Sequence, residues 1–357
     1  MTTICKALRG WFWPVALLLL AAGCAARKPA PANYVLFPPP PDEPRLQYLM
    51  SYGAETELGA RGKFSDFIVG KERIYRPIIK PYGVAIKKGK IYVCDTQAVN
   101  VSIADLAARK MRYLKPVGAG AFKVPINIAV DDDGTLYITD TGREQVLIFD
   151  KDLNYLGAMG VKDEMKPCGI ALAGDRLYVT DLKARCVRVY DKASRQLLRT
   201  FPTAATEEQK RLFQPTNLAT GADGTVYVSD TGGFAIKIYD AQGNHLRTIG
   251  ELGVTPGRFA MPKGIGVDRE NRCYVIDAAA PVAQIFDPEG RLLMWFGEPK
   301  SSGPAALYLP AGLTIDYDNL GLFQKYVAPG QKLEYLILVT NQAGPRKVSV
   351  YGFLKKR

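Results

Sequence analysis

The sequence predicts an all-β fold, a closed ring of six four-stranded units, and three observations carry the prediction. A hairpin pattern, clearest over Leu136–Asp150, sets two alternating apolar runs around an Asp-Thr-Gly turn; it recurs over Ile91–Asp105, Leu177–Asp191, Val226–Asp240 and Cys273–Asp287. A second signature, Pro-x-Gly or Pro-x-Asn leading into a short apolar strand, stands at Pro81-Tyr82-Gly83, Pro125-Ile126-Asn127, Pro167-Cys168-Gly169, Pro215-Thr216-Asn217, Pro262-Lys263-Gly264 and Pro310-Ala311-Gly312. Each hairpin is followed by one more strand, as at Leu153–Gly160, Gln196–Phe201, His245–Gly250 and Leu292–Gly297. Four strands per unit and six units give a six-bladed β-propeller.

The N-terminus reads as an address. Lys6 and Arg9 precede an apolar run from Trp11 to Ala22, which contains Pro14 and is too short to span a bilayer as a helix. Residues 1–23 are therefore expected to be a signal peptide. The run ends in Leu20-Ala21-Ala22-Gly23-Cys24, which resembles the bacterial lipobox, although Ala21 stands where that motif more often has Leu. The resemblance implies lipidation of Cys24, and at about 0.8 kcal/mol per buried CH2 several acyl chains make a lasting anchor. With Ala25 and Ala26 following and no Asp after the cysteine, similarity to Gram-negative lipoprotein sorting implies the outer membrane. Residues 24–44, with Pro29, Pro31, Pro38 to Pro41 and Pro44, predict a stiff proline-rich tether.

Residues 45–357 are expected to hold the propeller. Turn aspartates Asp95, Asp140, Asp181, Asp230 and Asp277 recur at roughly 41 to 49 residues, a spacing that suits blades joined by variable loops. The sixth unit departs from the pattern. Its strand Tyr335–Thr340 reaches Asn341 in place of Asp, its third strand is Lys347–Tyr351, and no fourth follows. The missing strand stands at the other end, where Arg45–Gly53 copies the pattern of Arg291–Gly297, so the ring is expected to close by an N-terminal strand completing the last blade. Two insertions are longer than a blade needs. Phe64–Arg76 predicts a short helix capped by Ser65, with Phe67 and Ile68 turned inward, on the loop leading into blade one. Tyr317–Lys332 interrupts blade six on the face opposite the Asp-Thr-Gly turns, as a partner contact or as packing.

With Pro-x-Gly, the apolar strand, Tyr-Val-x-Asp-Thr-Gly and the Val-x-Val-Phe-Asp third strand in place, the region from Arg45 to Tyr351 resembles the NHL-repeat family of six-bladed propellers. Gln97, Leu182 and Ala278 stand where the Thr-Gly of the turn is expected, Gln97 at the Gly position and the other two at the Thr position, which alters local turn geometry rather than the fold.

Chemistry is marked mainly by absences. The turn aspartates recur once per blade, whereas a catalytic group is needed once, so they are expected to accept backbone N–H bonds and hold turns. The single histidine, His245, falls on the outermost strand of blade four, far from the axis, which argues against the His-based sites of enzymes that resemble this fold. No catalytic residue is predicted, and no cofactor. Asn127 and Asn217, at the mouth of innermost strands, are the candidate metal ligands, with Ca2+ the ion their oxygens suit; a turn-forming role is the alternative. Apart from Cys5 and Cys24, the cysteines are Cys94, Cys168, Cys186 and Cys273, and strand spacing puts Cys168 and Cys186 beyond disulfide reach. Phosphate-loop, nucleophile-elbow and dinucleotide motifs are absent.

The formal charge is +12, and loss of Lys6 and Arg9 with the leader lowers it by two. Strand direction collects Lys80, Lys123, Arg143, Lys166, Lys183, Arg185, Arg258 and Lys263 on the face of the Asp-Thr-Gly turns, a basic surface for an acidic protein or anionic glycan. Some NHL-repeat propellers bind RNA on such a face, but an envelope lipoprotein would rarely meet nucleic acid. The expected function is a non-catalytic protein-interaction platform in the bacterial cell envelope. The alternatives are a propeller enzyme with an oxygen-ligated metal in the channel, and a binder of anionic polysaccharide or small ligand.

Overall fold

The computed structural model describes residues 34–58, 77–203, 206–297 and 302–355. The expected helix over Phe64–Arg76 and the leader with Cys24 lie outside them. The chain divides into Met1–Tyr34 and Val35–Arg357, and the second unit is the propeller.

Blade one is β3 (Pro81–Lys87), β4 (Lys90–Asp95), β5 (Asn100–Asp105) and β6 (Lys110–Leu114). Blade two is β7 (Pro125–Val130), β8 (Leu136–Asp140), β9 (Gln145–Phe149) and β10 (Tyr155–Met159). Blade three holds β11 (Pro167–Ala173), β12 (Arg176–Asp181), β13 (Cys186–Asp191) and β14 (Leu197–Phe201). Blade four holds β15 (Pro215–Thr220), β16 (Val226–Asp230), β17 (Ala235–Tyr239) and β18 (His245–Ile249). Blade five holds β19 (Pro262–Val267), β20 (Cys273–Asp277), β21 (Val282–Phe286) and β22 (Leu292–Phe296). In each, neighbours in sequence pair antiparallel in order. Blade six comprises β23 (Pro310–Asp316), β24 (Leu333–Asn341) and β25 (Val348–Leu354), and its fourth strand is β2 (Leu46–Tyr52), with Leu46 opposite Phe353 and Tyr52 opposite Val348. The closure read from the sequence is the closure that forms.

The tether expectation ended too late. Within the proline-rich stretch, β1 (Leu36–Phe37) pairs with β2 and makes the closing sheet five-stranded. Phe37 lies 6.3 Å, ring to ring, from Phe296 and 6.5 Å from Tyr351, and this apolar contact holds the segment down despite its flanking prolines.

Strand alternation explains the core. A blade is covered on both faces, so successive residues enter different clusters: Leu136 and Ile138 pack toward blade one, Tyr137 toward blade three. One apolar cluster fills each of the six interfaces between blades. Hydroxyls stitch the same interfaces: Thr139 Oγ1 donates to the Cys168 carbonyl of the next blade at 2.6 Å, and Thr340 Oγ1 to that of Tyr82 at 2.5 Å across the closure. Between blades five and six lies a buried polar quartet. Asp268 Oδ2 accepts Arg272 Nε at 2.6 Å and the hydroxyls of Tyr274 and Tyr335 at 3.1 and 3.2 Å.

The blade-six insertion packs rather than projecting. It forms two short 3-10 turns, Leu320–Leu322 and Gln324–Tyr326, and buries Phe323 and Val327 against blades six and one. The buried amide of Gln47 on β2 clamps it, donating to the Tyr326 carbonyl at 2.8 Å and accepting Ala328 N–H at 2.9 Å.

Candidate functional site

The five turn aspartates are committed to backbone. Asp140 is typical: its carboxylate accepts N–H groups of Lys123 (2.7 Å), Val124 (2.9 Å), Gly142 (3.1 Å) and Arg143 (2.9 Å), tying the hairpin turn to the loop that leads into the same blade. Asp95 receives Ile79, Lys80, Gln97 and Ala98, and Asp277 receives Ala260, Met261, Ala279 and Ala280. Asp181 adds a buried ion pair with Arg188 at 2.7 Å. Asp230 is pushed above the ordinary carboxylate range by burial, against the N–H groups of Gln214 and Phe213. The periodic reading of these residues as turn holders is what the geometry gives. Asp140→Ala strands the N–H groups of Lys123, Val124 and Gly142, while Arg143 N–H keeps the backbone carbonyl of residue 140, and is expected to cost about 2–4 kcal/mol, measured as a fall in the urea midpoint.

At the axis the inner strands converge so closely that a Cβ on Gly83 would stand 2.5 Å from the Cα of Asn127, and one on Gly312 would stand 2.2 Å from the Tyr82 carbonyl oxygen. Only glycine fits those places. Asn127 and Asn217, at the same position in blades two and four, fill the axis instead: Asn127 Nδ2 donates to Asn217 Oδ1 at 2.7 Å, while Asn127 Oδ1 accepts Ile128 N–H at 2.9 Å. The sequence placed them at the mouth of inner strands but gave no sign that they bond to each other across the ring. Calcium takes about six to eight oxygens. Here two amide oxygens are already engaged, and no group of three or more His, Cys, Asp or Glu side chains stands ready for a metal among the described residues.

Beyond the asparagine pair, on the face opposite the turns, the channel opens as a funnel of about 380 Å3. Residues of all six inner strands line it, among them Ile128 and Leu218, and Lys87, Arg269 and Asp318 stand in its lining as well. The guanidinium of Arg269 lies 4.0 Å from the centre of the Tyr317 ring. The sequence missed this funnel, because strand edges that meet at an axis leave no local pattern.

The eight basic residues fall on the turn face but serve different ends. Arg143 donates to the carbonyls of Ala119 and Ala121, Lys183 to that of Asp163, and Arg258 pairs with Glu251 at 2.9 Å. Lys80, Lys123, Lys166 and Arg185 are exposed, and none has an ion-pair partner among the described residues. Lys263 is half-buried, its Nζ 5.7 Å from the centre of the Tyr82 ring. On the same face Glu207 pairs with Lys210 at 2.8 Å. What the structure assembles is a basic arc over blades one to three, with Lys263 at the axis.

The remaining residues are structural. His245 sits on β18 against the Tyr239 ring, its Nε2 2.9 Å from Thr248 Oγ1. Cys94, Cys168, Cys186 and Cys273 are buried free thiols, and burial pushes the Cys168 and Cys186 thiols up to about 12, which keeps them protonated and inert.

No protein-family model matches the sequence, and no curated protein matches it. Solved structures do. A protein of unknown function from Bacteroides thetaiotaomicron superposes with a TM-score of 0.61 at 16% identity, covering 86% of this chain and 75% of that one. A gluconolactonase from Xanthomonas campestris superposes with 0.55 at 17% identity, covering 87% and 89%. Virginiamycin B lyase from Staphylococcus aureus gives 0.52 at 14%, covering 79% and 87%. What the chain shares with these proteins is the six-bladed β-propeller fold.

Proposed function

We propose that the chain is a non-catalytic binding propeller of the bacterial cell envelope, an NHL-type lipoprotein held to the outer membrane through Cys24, whose turn face docks an acidic partner protein. The observation that carries the reading is the division of labour on that face. Its turn aspartates are spent on backbone, while Lys80, Lys123, Lys166 and Arg185 project from loops that those same aspartates fix. Cations on a rigid frame lose little entropy when an acidic surface meets them and speed encounter at low salt.

The test is crosslinked affinity purification of the tagged protein from detergent-solubilised envelopes, repeated with Lys166→Glu and Arg185→Glu together. A stoichiometric partner whose affinity falls at least about tenfold on charge reversal, and with rising salt, supports the reading. A partner indifferent to both changes overturns it. A second reading, a propeller that binds a small ligand, is favoured by the funnel of about 380 Å3, a volume in the range of small-molecule sites.

A further inference from the structure

The residue after the inner-strand proline is Tyr82, Ile126, Cys168, Thr216, Lys263 or Ala311, one per blade, at the axial end on the turn face. Five are uncharged. Tyr82 brings its hydroxyl to Cys168, Thr216 and the amide of Asn217, and its ring lies beside the Lys263 ammonium. Lys263 has no carboxylate within ion-pair distance among the described residues, and burial depresses its pKa, with Lys80 adding to the shift. A partly desolvated cation without a counter-charge is costly unless something supplies one.

A second observation lies in the adjoining layer. The residue before the turn Asp or Asn carries a hydroxyl in blades two, three, four and six: Thr139, Thr180, Ser229 and Thr340. Thr139 and Thr340 bond to the next blade, and Thr180 accepts Gly169 N–H at 2.6 Å. Ser229, whose neighbouring blade carries Lys263, is buried with its Oγ unpartnered. Ser229 thus leaves one buried hydroxyl unpaired in the blade that precedes the one carrying Lys263.

We propose that this axial position is a carboxylate site, in which the Lys263 ammonium receives one acidic side chain of the docking partner. The identity of the carboxylate's bearer rests on the basic-face reading above; the site itself does not. Lys263 supplies charge-assisted N–H bonds at the centre of the face, where a docked surface excludes water, while the arc of lysines steers the approach. The site takes one negative charge.

The probe is sodium acetate, titrated against wild type, Lys263→Met, Lys263→Arg and Lys151→Met, the last an exposed lysine on the β9–β10 turn of the other face, at constant ionic strength kept with chloride, with the thermal midpoint as readout. Acetate is expected to raise the midpoint of wild type, Lys263→Arg and Lys151→Met, and its apparent affinity to fall about tenfold or more in Lys263→Met. An unchanged response in Lys263→Met overturns the site, and the arginine variant guards against a mere folding defect. A capped peptide with a single glutamate should displace acetate; if it does not, the carboxylate is a free small molecule rather than part of a partner. Acetate binding through Lys263 in a protein whose partner ignores the Lys166 and Arg185 reversals would leave the site standing and sink the docking reading. The opposite pair of results would sink the site alone.

Discussion

Asp268→Ala is expected to lower stability by about 3–5 kcal/mol, the cost of removing one partner from a buried ion pair. Asp268 is 2% exposed, and one of its oxygens accepts Arg272 Nε and two tyrosine hydroxyls while the other accepts the N–H groups of Glu270 and Arg272 at 2.9 Å. Alanine would leave the Arg272 guanidinium on the Phe353 ring, 4.8 Å from its centre, with Glu270 at 3.0 Å as its remaining acidic neighbour. Tyr335 stacks on Phe353 with centroids 4.6 Å apart, so the damage passes from blade five directly into the closing sheet. Burial drives the hydroxyls of Tyr274 and Tyr335 far above the usual tyrosine range, so neither can supply the lost negative charge. Asp268→Asn, which keeps an acceptor, should cost less. The check is a urea titration: a lower midpoint at unchanged slope supports the quartet as a clasp between blades, and a loss under about 1 kcal/mol refutes it.

Removing residues 45–52 should have a still larger effect, because it withdraws a strand that serves two interfaces. Leu46 is buried in the cluster between blades five and six, and Leu49 and Tyr52 in the cluster between blades six and one. At about 1.5–3 kcal/mol for each buried side chain, these three alone contribute roughly 5–9 kcal/mol, comparable to the whole stability of many proteins. Gln47 would also release the insertion, and β25 would present an open edge to other chains. The expected result is loss of the cooperative melt together with self-association in sedimentation, reversed by adding a peptide of residues 44–54. A truncated protein that stays monomeric and melts as wild type would show that the ring does not depend on its closure.

Much of this architecture was legible because it is periodic. Pro-x-Gly, the paired strands and the turn Asp recur, so one well-formed unit such as Leu136–Asp150 interprets the others, and Arg45–Gly53 could be matched to a gap at the far end of the chain. What was not legible depends on contacts across the ring. The Asn127–Asn217 bond joins residues 90 positions apart, and the quartet joins Asp268 to Tyr335 over 67, distances at which no local pattern operates. The segment at Leu36–Phe37 was hidden by composition: prolines around it read as spacer, while three aromatic rings decide its place. The blade-six insertion was read by its length, but Phe323 and Val327, ordinary apolar residues in a loop, turn out to be core. The basic face was legible as a count of lysines and arginines; which of them are spent on carbonyls was not.

Because β2 and its partner β25 stand at opposite ends of the propeller's strand order, the ring cannot be finished until synthesis has passed β25. Leu46 waits for Phe353, and bringing together the ends of a segment of that length carries an entropic cost on the order of 5 kcal/mol. Five blades can form in order as they emerge, each from strands adjacent in sequence, but the sixth assembles only after synthesis has passed Leu354. Folding is therefore expected to end in one late, slow step, with the edges of β2 and β25 both exposed until it occurs.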